Sequence, residues 1–310
     1  MRYKIGVDLG GTTVKMGLFT SECELMEDWE IVTDKSDNGA NILDDIASSI
    51  DEKLEANNIT KNLVDGLGIG VPGPVVKGVV YGCTNIGWGD VNLVDELSNL
   101  IGLQVYADND ANVAALGEYF AGSGKDYSSI LMVTLGTGVG GGIIIDGNII
   151  QGFNGYAGEL GHMLVNYNET DMCTCGKCGC LEQYSSATGV KRLALKHLSE
   201  SNNESSLKEF GETINAKIVF EEAKKGDNVA LKTVDECLTM LGRGIANVCH
   251  IINPEAVILG GGMSNAGDYM MRKLRSEFDA GMIFIKKDTK LVLASLGSRA
   301  GIYGACHLVG

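Results

Sequence analysis

The chain has 310 residues, 45% of them hydrophobic, which is enough for a sizeable core and suits two lobes better than one. With 40 acidic against 25 basic side chains its formal charge is −15, a surface that repels nucleic acid and anionic membranes and excludes both as expected partners. No run of eighteen apolar residues could span a bilayer, and nine cysteines without a secretory segment give the cytoplasm as the expected compartment.

Tyr3 to Asp8 is a short apolar run, and Val14, Met16 and Leu18 alternate after it, so the first element reads as strand, Gly turn, strand. The turn, Leu9-Gly10-Gly11-Thr12-Thr13, carries more Gly and Thr than a plain hairpin needs. Successive N–H groups in such a turn form a concave anion site, with Asp8 at its rim as a candidate for Mg²⁺ held through water. A dinucleotide fingerprint would require a helix here instead. An ordinary hairpin turn is the competing reading.

Leu43, Ile46, Ile50 and Leu54 have helical spacing within residues 40–56, and Val64–Val71 reads as a strand ending in the turn Pro72-Gly73-Pro74. Residues 82–90 read as a loop in which Asn85 and Trp88 are ligand candidates, against the plainer reading of a packed Trp; 92–100 reads as a short helix. Val105-Tyr106-Ala107 is a strand end, followed by Asp108-Asn109-Asp110-Ala111-Asn112 and an Ala-rich helix to about residue 121. This acidic cluster suits a helix N-cap, and Asp110 equally suits a base that takes a proton from a hydroxyl.

Residues 130–135 form a predicted buried strand running into Gly136-Thr137-Gly138-Val139-Gly140-Gly141-Gly142, then Ile143-Ile144-Ile145 and the turn Asp146-Gly147-Asn148. The letters match GxGxxG, but a strand follows where a helix should be. The stretch reads better as a second copy of the first element, which predicts an internally duplicated α/β fold.

Glu159-Leu160-Gly161-His162 and then Cys173-Thr174-Cys175-Gly176-Lys177-Cys178-Gly179-Cys180-Leu181-Glu182 put one His and four Cys within nineteen residues, with a carboxylate at each end. Structural zinc takes four tetrahedral ligands, thiolates with or without imidazole. Cys173, Cys175 and Cys180 offer three, the glycines let the backbone fold back, and His162 is the natural fourth; Cys178 in its place would make the site all-cysteine. Competing readings are an iron–sulfur cluster, disulfides or free buried thiols. A finger fixed by zinc would hold Glu159, His162 and Glu182 against a sugar, because carboxylates accept from hydroxyl donors.

A helix is predicted over 187–199, an exposed polar loop over 199–206, and a long helix from Val229 to about Ile252 with His250 near its end. Ala256–Leu259 is a strand leading into Gly260-Gly261-Gly262 and a helix, a turn open enough for a flat ring or phosphate to approach. A strand near 291–293 and a closing helix from 300 to 309 complete the chain.

Together these elements resemble the ROK (repressor, open reading frame, kinase) family, and within it the bacterial glucokinases. The matching stretches run nearly end to end: Asp8-Leu9-Gly10-Gly11-Thr12, Asn109-Asp110-Ala111-Asn112, Leu135-Gly136-Thr137-Gly138, Gly158-Glu159-Leu160-Gly161-His162, Cys173 to Glu182, and Leu259-Gly260-Gly261-Gly262. The cysteine signature is the most specific of them. The resemblance implies a duplicated α/β fold of the actin-like ATPase (ribonuclease H-like) type, two lobes around a cleft. Residues 1–108 plus 297–310 would form the smaller lobe and 109–296 the larger, with the zinc-binding loop. It implies ATP-dependent phosphorylation of the 6-hydroxyl of glucose or a related hexose, with Asp110 as base and Asn109, Glu159, His162 and Glu182 on the sugar. Zinc would take His162, Cys173, Cys175 and Cys180. ATP and Mg²⁺ would take Asp8, Gly10, Gly11, Thr12, Thr13, Lys15, Gly136, Thr137, Gly138, Gly261 and Gly262. Cys178 stands where the family pattern leaves the residue free, and Asp108 where members often carry Glu. Family members are commonly dimers or tetramers. N-acetylmannosamine, allose and fructose kinases are the rival hexose readings. A sugar-responsive repressor is the rival outside catalysis; it would need a basic helix-turn-helix ahead of a strand that starts at residue 3.

Overall fold

The computed structural model describes residues 1–201, 204–283 and 288–310. It divides into two compact units: Met1–Ile130 with Gly142–Gly158 and Ser295–Gly310, and Leu131–Gly141 with Glu159–Ala294. The sequence boundary at residue 109 falls inside the first unit.

The first unit opens with β1 (Tyr3–Leu9), β2 (Thr13–Thr20) and β3 (Leu25–Val32), followed by α1 (Ile42–Ala56), β4 (Val64–Val71) and the short pair β5 (Val75–Val76) and β6 (Val79–Val80). Then come α2 (Leu93–Ile101), β7 (Val105–Asn109) and α3 (Asp110–Ala121). Its sheet has the order β3-β2-β1-β4-β7, antiparallel through the first three strands and parallel through the last three. β1 and β4 are buried on both faces, which is why they read as continuous apolar runs. β3 is an edge strand whose residues alternate between half-buried and exposed. Its sequence, Leu-Met-Glu-Asp-Trp-Glu-Ile-Val, mixes charge into the pattern, as edges do, and this hid it from a reading by hydrophobic runs. On one face, α1 buries Leu43, Ile46, Ile50 and Leu54 with Leu93 and Leu97 of α2 against Ile5, Val7 and Leu67. Each such side chain contributes about 2 kcal/mol. Trp88 belongs to this core and its Nε1 donates to Gly39 O at 3.0 Å, so the packed reading of Trp88 holds.

A helix near the end of the chain covers the other face, and glycine makes its approach possible. A Cβ at Gly6 would overlap Ile302 O, and one at Gly68 would overlap Ala305 O. The helix backbone therefore lies directly on β1 and β4. Glu118 of α3 is fully buried, yet its carboxylate accepts from Ser123 N (2.9 Å), Ser295 N (3.0 Å) and Leu296 N (2.8 Å). A buried charge satisfied in this way ties the end of α3 to the segment leading into the last helix.

The chain continues through β8 (Ser129–Leu135), β9 (Val139–Ile145), β10 (Asn148–Ile149), α4 (Glu182–Ser185), α5 (Ala187–Glu200), α6 (Ala216–Lys225) and α7 (Asn228–Ile252). It closes with β11 (Ala256–Gly260), α8 (Asp268–Gly281), β12 (Lys290–Leu293) and α9 (Ala300–Leu308), the helix that covers the first sheet. The second sheet has the order β10-β9-β8-β11-β12, and the chain passes from one unit to the other within β8 and within β9. Strand, Gly turn and strand thus occur twice, as the sequence predicts, each in its own five-stranded sheet. Asp227 caps α7, accepting from Val229 N at 3.0 Å and Ala230 N at 2.9 Å, and Asn253 ends it in the left-handed conformation. The polar loop predicted over 199–206 lies partly outside the described residues; after it, Ser206–Thr213 forms a 3₁₀ segment. None of the described helices is long and apolar enough to cross a membrane.

Candidate active site and metal centre

In the first unit, Gly10 N donates to Thr13 O at 3.0 Å, closing the turn between β1 and β2. The end of β3 pins that turn from outside: Thr33 Oγ1 donates to Gly10 O at 2.7 Å and Thr33 N to Thr12 O at 3.0 Å. Asp8 and Lys15 are cross-strand partners beside it. Burial pushes the Asp8 carboxyl up to about 6, with the Lys15 ammonium opposing. Lys15 Nζ also donates to Ser298 O at 3.4 Å. Asp8 lies hard against Gly301 in the first turn of α9, where any Cβ would overlap the carboxylate.

Where β7 meets α3, Asn109 is the N-cap, its Oδ1 accepting from Ala111 N at 2.9 Å and Asn112 N at 3.4 Å. Its Nδ2 donates to Gly73 O at 3.2 Å, which fixes the Pro72-Gly73-Pro74 turn. Capping thus falls to Asn109, and Asp110 opens the helix proper with Oδ1 accepting from Ala111 N at 2.8 Å. Asp108 is buried and accepts from Asn109 N (2.7 Å), Asn112 Nδ2 (3.0 Å) and Gln151 Nε2 (2.6 Å). Burial pushes the Cys83 thiol up to about 11, and the nearby Asp110 carboxylate adds to it.

The second Gly turn is built the same way in the second unit. Gly136 N donates to Gly138 O at 3.0 Å, and Ala187 N donates to Gly136 O at 2.8 Å. Glu182 closes it: Oε2 accepts from Val139 N at 3.0 Å, and a Cβ on Gly138 would overlap that oxygen. The other carboxylate oxygen accepts from Thr174 Oγ1 at 3.0 Å. One side chain therefore joins the Gly turn to the cysteine finger, a link with no trace in sequence spacing. Gly261 has φ +82° and would place a Cβ against Leu135 O, so this position of the third turn excludes other residues. Gly136, Thr137 and Gly262 border a cavity of about 610 Å³, together with Asn215, Phe220 and Lys224 around α6. The cavity's size suits a nucleotide. The α6 side was missed in the sequence. Asn215 as N-cap with Val219, Phe220 and Ala223 at helical spacing could have revealed the helix, but nothing there signals a ligand.

The finger starts at Glu159, an exposed residue leading into the 3₁₀ turn Leu160–His162. Gly176 and Gly179 take φ of +83° and +82°, and Cys173 N donates to Lys177 O at 2.7 Å as the backbone folds back. His162 Nδ1 lies 3.9 Å from Cys173 Sγ, and Cys175 Sγ lies 3.5 Å from Cys180 Sγ. One ligand atom from each of these four residues falls within 4.8 Å of the others. Zn–S bonds of about 2.3 Å in a tetrahedron separate sulfurs by about 3.8 Å, so this donor set fits zinc. None of the nine cysteines is in a disulfide. Cys178 stands outside the set, its thiol donating to Thr170 O at 3.6 Å. Burial, reinforced by the neighbouring Cys175 and Cys173 thiols, pushes Cys180 up to about 12. Cys175 is held low despite burial by the Lys177 N–H and the Cys180 thiol. Such a cluster keeps some of its protons until a cation replaces them.

The ROK family profile matches residues 4–310. The glucokinase of Halalkalibacterium halodurans is 41% identical over 313 residues, covering 99% of this chain and 95% of that one. The glucokinase of Thermotoga maritima is 35% identical over 311 residues, covering 98% and 96%. Among solved structures, the ROK family glucokinase of Streptomyces griseus in complex with glucose and AMPPNP superposes with a TM-score of 0.80 at 32% identity, over 99% of this chain and 98% of that one.

Proposed function

Because the chain belongs to the ROK family, we propose that it acts as that family's glucokinase, transferring the γ-phosphoryl of ATP to the 6-hydroxyl of glucose. The observation that carries the reading is end-to-end likeness to glucokinases at 41% and 35% identity. Asp110 accepts the proton of the 6-hydroxyl as that oxygen attacks phosphorus. Its place at the positive end of α3 favours the carboxylate that a base must be. Asn109 positions the sugar with its remaining amide hydrogen. Glu159 accepts from sugar hydroxyls, and so does Glu182, whose Oε2 keeps a lone pair beyond the bond to Val139 N, while Oε1 already faces Thr174 Oγ1 and Cys173 Sγ. His162 would turn Nδ1 to the metal and Nε2 to the sugar.

Backbone amides of the Gly10–Thr13 and Gly136–Gly138 turns bind the phosphates, and Gly261 and Gly262 border the nucleoside. When bound, Mg²⁺ would supply charge neutralisation at the phosphates, with Asp8 the residue that would hold it through water, and zinc on His162, Cys173, Cys175 and Cys180 would supply the shape of the finger. Phosphoryl transfer asks little else of a protein than this positioning. The test is purified protein with MgATP and a panel of hexoses, read by phosphorus NMR. Glucose 6-phosphate is expected as the main product; absence of any product from glucose would overturn the assignment, and faster turnover of another hexose would move it within the family. Light scattering tests the expected dimer or tetramer.

A further inference from the structure

The cysteine finger leaves the fold at His162 and returns at Gln183, and one side chain outside it touches both legs. Arg192, on α5, donates from Nη2 to Glu169 Oε2 at 3.0 Å and from Nη1 to Asp171 Oδ2 at 2.7 Å, both on the outgoing leg. The same guanidinium donates to Gln183 O on the returning leg, from Nη2 at 3.2 Å and Nε at 3.4 Å. Its carbon sits 5.4 Å over the ring of the buried Tyr184, whose hydroxyl donates to Glu169 Oε2 at 2.6 Å and accepts from Asn166 Nδ2 at 2.8 Å. Gln183 extends the contact to the ligands. Its Oε1 accepts from Gly179 N at 2.8 Å and Cys180 N at 3.1 Å, and its Nε2 donates to Asp171 O at 2.9 Å.

We propose that Arg192 is a positioning residue: its guanidinium clasps the two legs of the finger, and through Gln183 and Glu182 sets both the metal ligands and a sugar-facing carboxylate. The inference rests on the zinc-bearing kinase reading. The Glu169 side chain is only 5% exposed, and burial alone would raise its carboxyl. The Tyr184 hydroxyl, the Asp171 N–H and Arg192 instead hold it at about 2. It is therefore an anion at every working pH, and an anion so buried demands a cation in place. A planar fork with five donors can serve Glu169, Asp171 and Gln183 at once; a lysine ammonium cannot match that geometry. Partners of this kind, one layer behind the ligands, typically change metal affinity 10–100-fold when removed.

The experiment compares wild type with Arg192→Met, Arg192→Lys and Tyr184→Phe, the last two for the case that the first does not fold. Zinc content is measured by elemental analysis, zinc release with a chromogenic chelator, and kcat and KM for glucose separately. Expected are about tenfold or faster zinc release in Arg192→Met, a glucose KM raised about tenfold, kcat within a few-fold of wild type, and smaller shifts of the same sign in the other two variants. Zinc-loaded wild type with unchanged release from the variants would overturn the clasp while leaving the kinase reading intact. Wild type without zinc would overturn the metal reading; glucose KM and protease cleavage within 163–180 would then decide the clasp, and wild-type values in Arg192→Met would overturn it.

Discussion

Asn109 and Asp110 are adjacent and chemically similar, and the helix separates their tasks. Asn109 spends its oxygen on the N-cap, whereas Asp110 opens the helix as a carboxylate. Asp110→Asn keeps the shape and removes the basicity. Its kcat should fall by about 10²–10⁴ with glucose KM within a few-fold of wild type; near-normal turnover would take Asp110 out of the role of base. Asp8 is perturbed by its burial. Its carboxyl is raised from 3.8 to about 6 by burial, so between those values the folded chain binds more protons than the unfolded one. The contribution to stability is fully present below pH 3.8 and is lost as pH rises through 6, leaving a cost of about 3 kcal/mol at most at neutral pH. Asp8→Asn should therefore raise Tm at pH 7.5 more than at pH 4.5 while lowering MgATP-dependent turnover. Equal Tm shifts at both values would mean that the charge is not strained. A charge kept at such a cost points to function.

The elements around the site differ in how far sequence could reveal them. Gly138 and Gly136 look alike as letters, but a Cβ at Gly138 would overlap Glu182 Oε2 and one at Gly136 would meet nothing within 4 Å. Gly138→Ala should displace Glu182, raise KM for glucose and ATP together by roughly tenfold, and cost about 1–3 kcal/mol. Gly136→Ala should leave Tm unchanged. Thermal unfolding and initial rates check both, and equal Tm losses would remove Glu182 from the account. The Gly turns, the finger and the long α7 were legible because each is a local pattern: a Gly-Thr cluster between apolar runs, cysteines at ligand spacing, periodic apolar residues. β3 was not, since charges interrupt its alternation. The bond from Glu182 to Val139 N joins residues 43 apart in sequence, and no periodicity encodes such a meeting.

At the scale of the whole molecule, duplication was readable because both copies keep strand, Gly turn and strand. The partition of the chain was not, because it passes between units inside β8 and β9, where nothing in composition changes. The partition matters for function: the cavity bordered by Gly136, α6 and Gly262 lies wholly in the second unit, and Asp110 lies in the first. Binding of the nucleoside at this cavity should therefore be separable from proton transfer. Binding stabilises whatever it touches by RT ln(1 + [L]/Kd), about 2.7 kcal/mol at a hundredfold excess over Kd. With saturating AMPPNP, amide hydrogen exchange should slow over residues 215–224 and 262–266, which border the cavity. Asp110→Asn should show the same protection despite its lost turnover. Protection absent from these segments would move the nucleoside elsewhere, and protection that vanishes in Asp110→Asn would mean that Asp110 contributes to binding and not only to transfer.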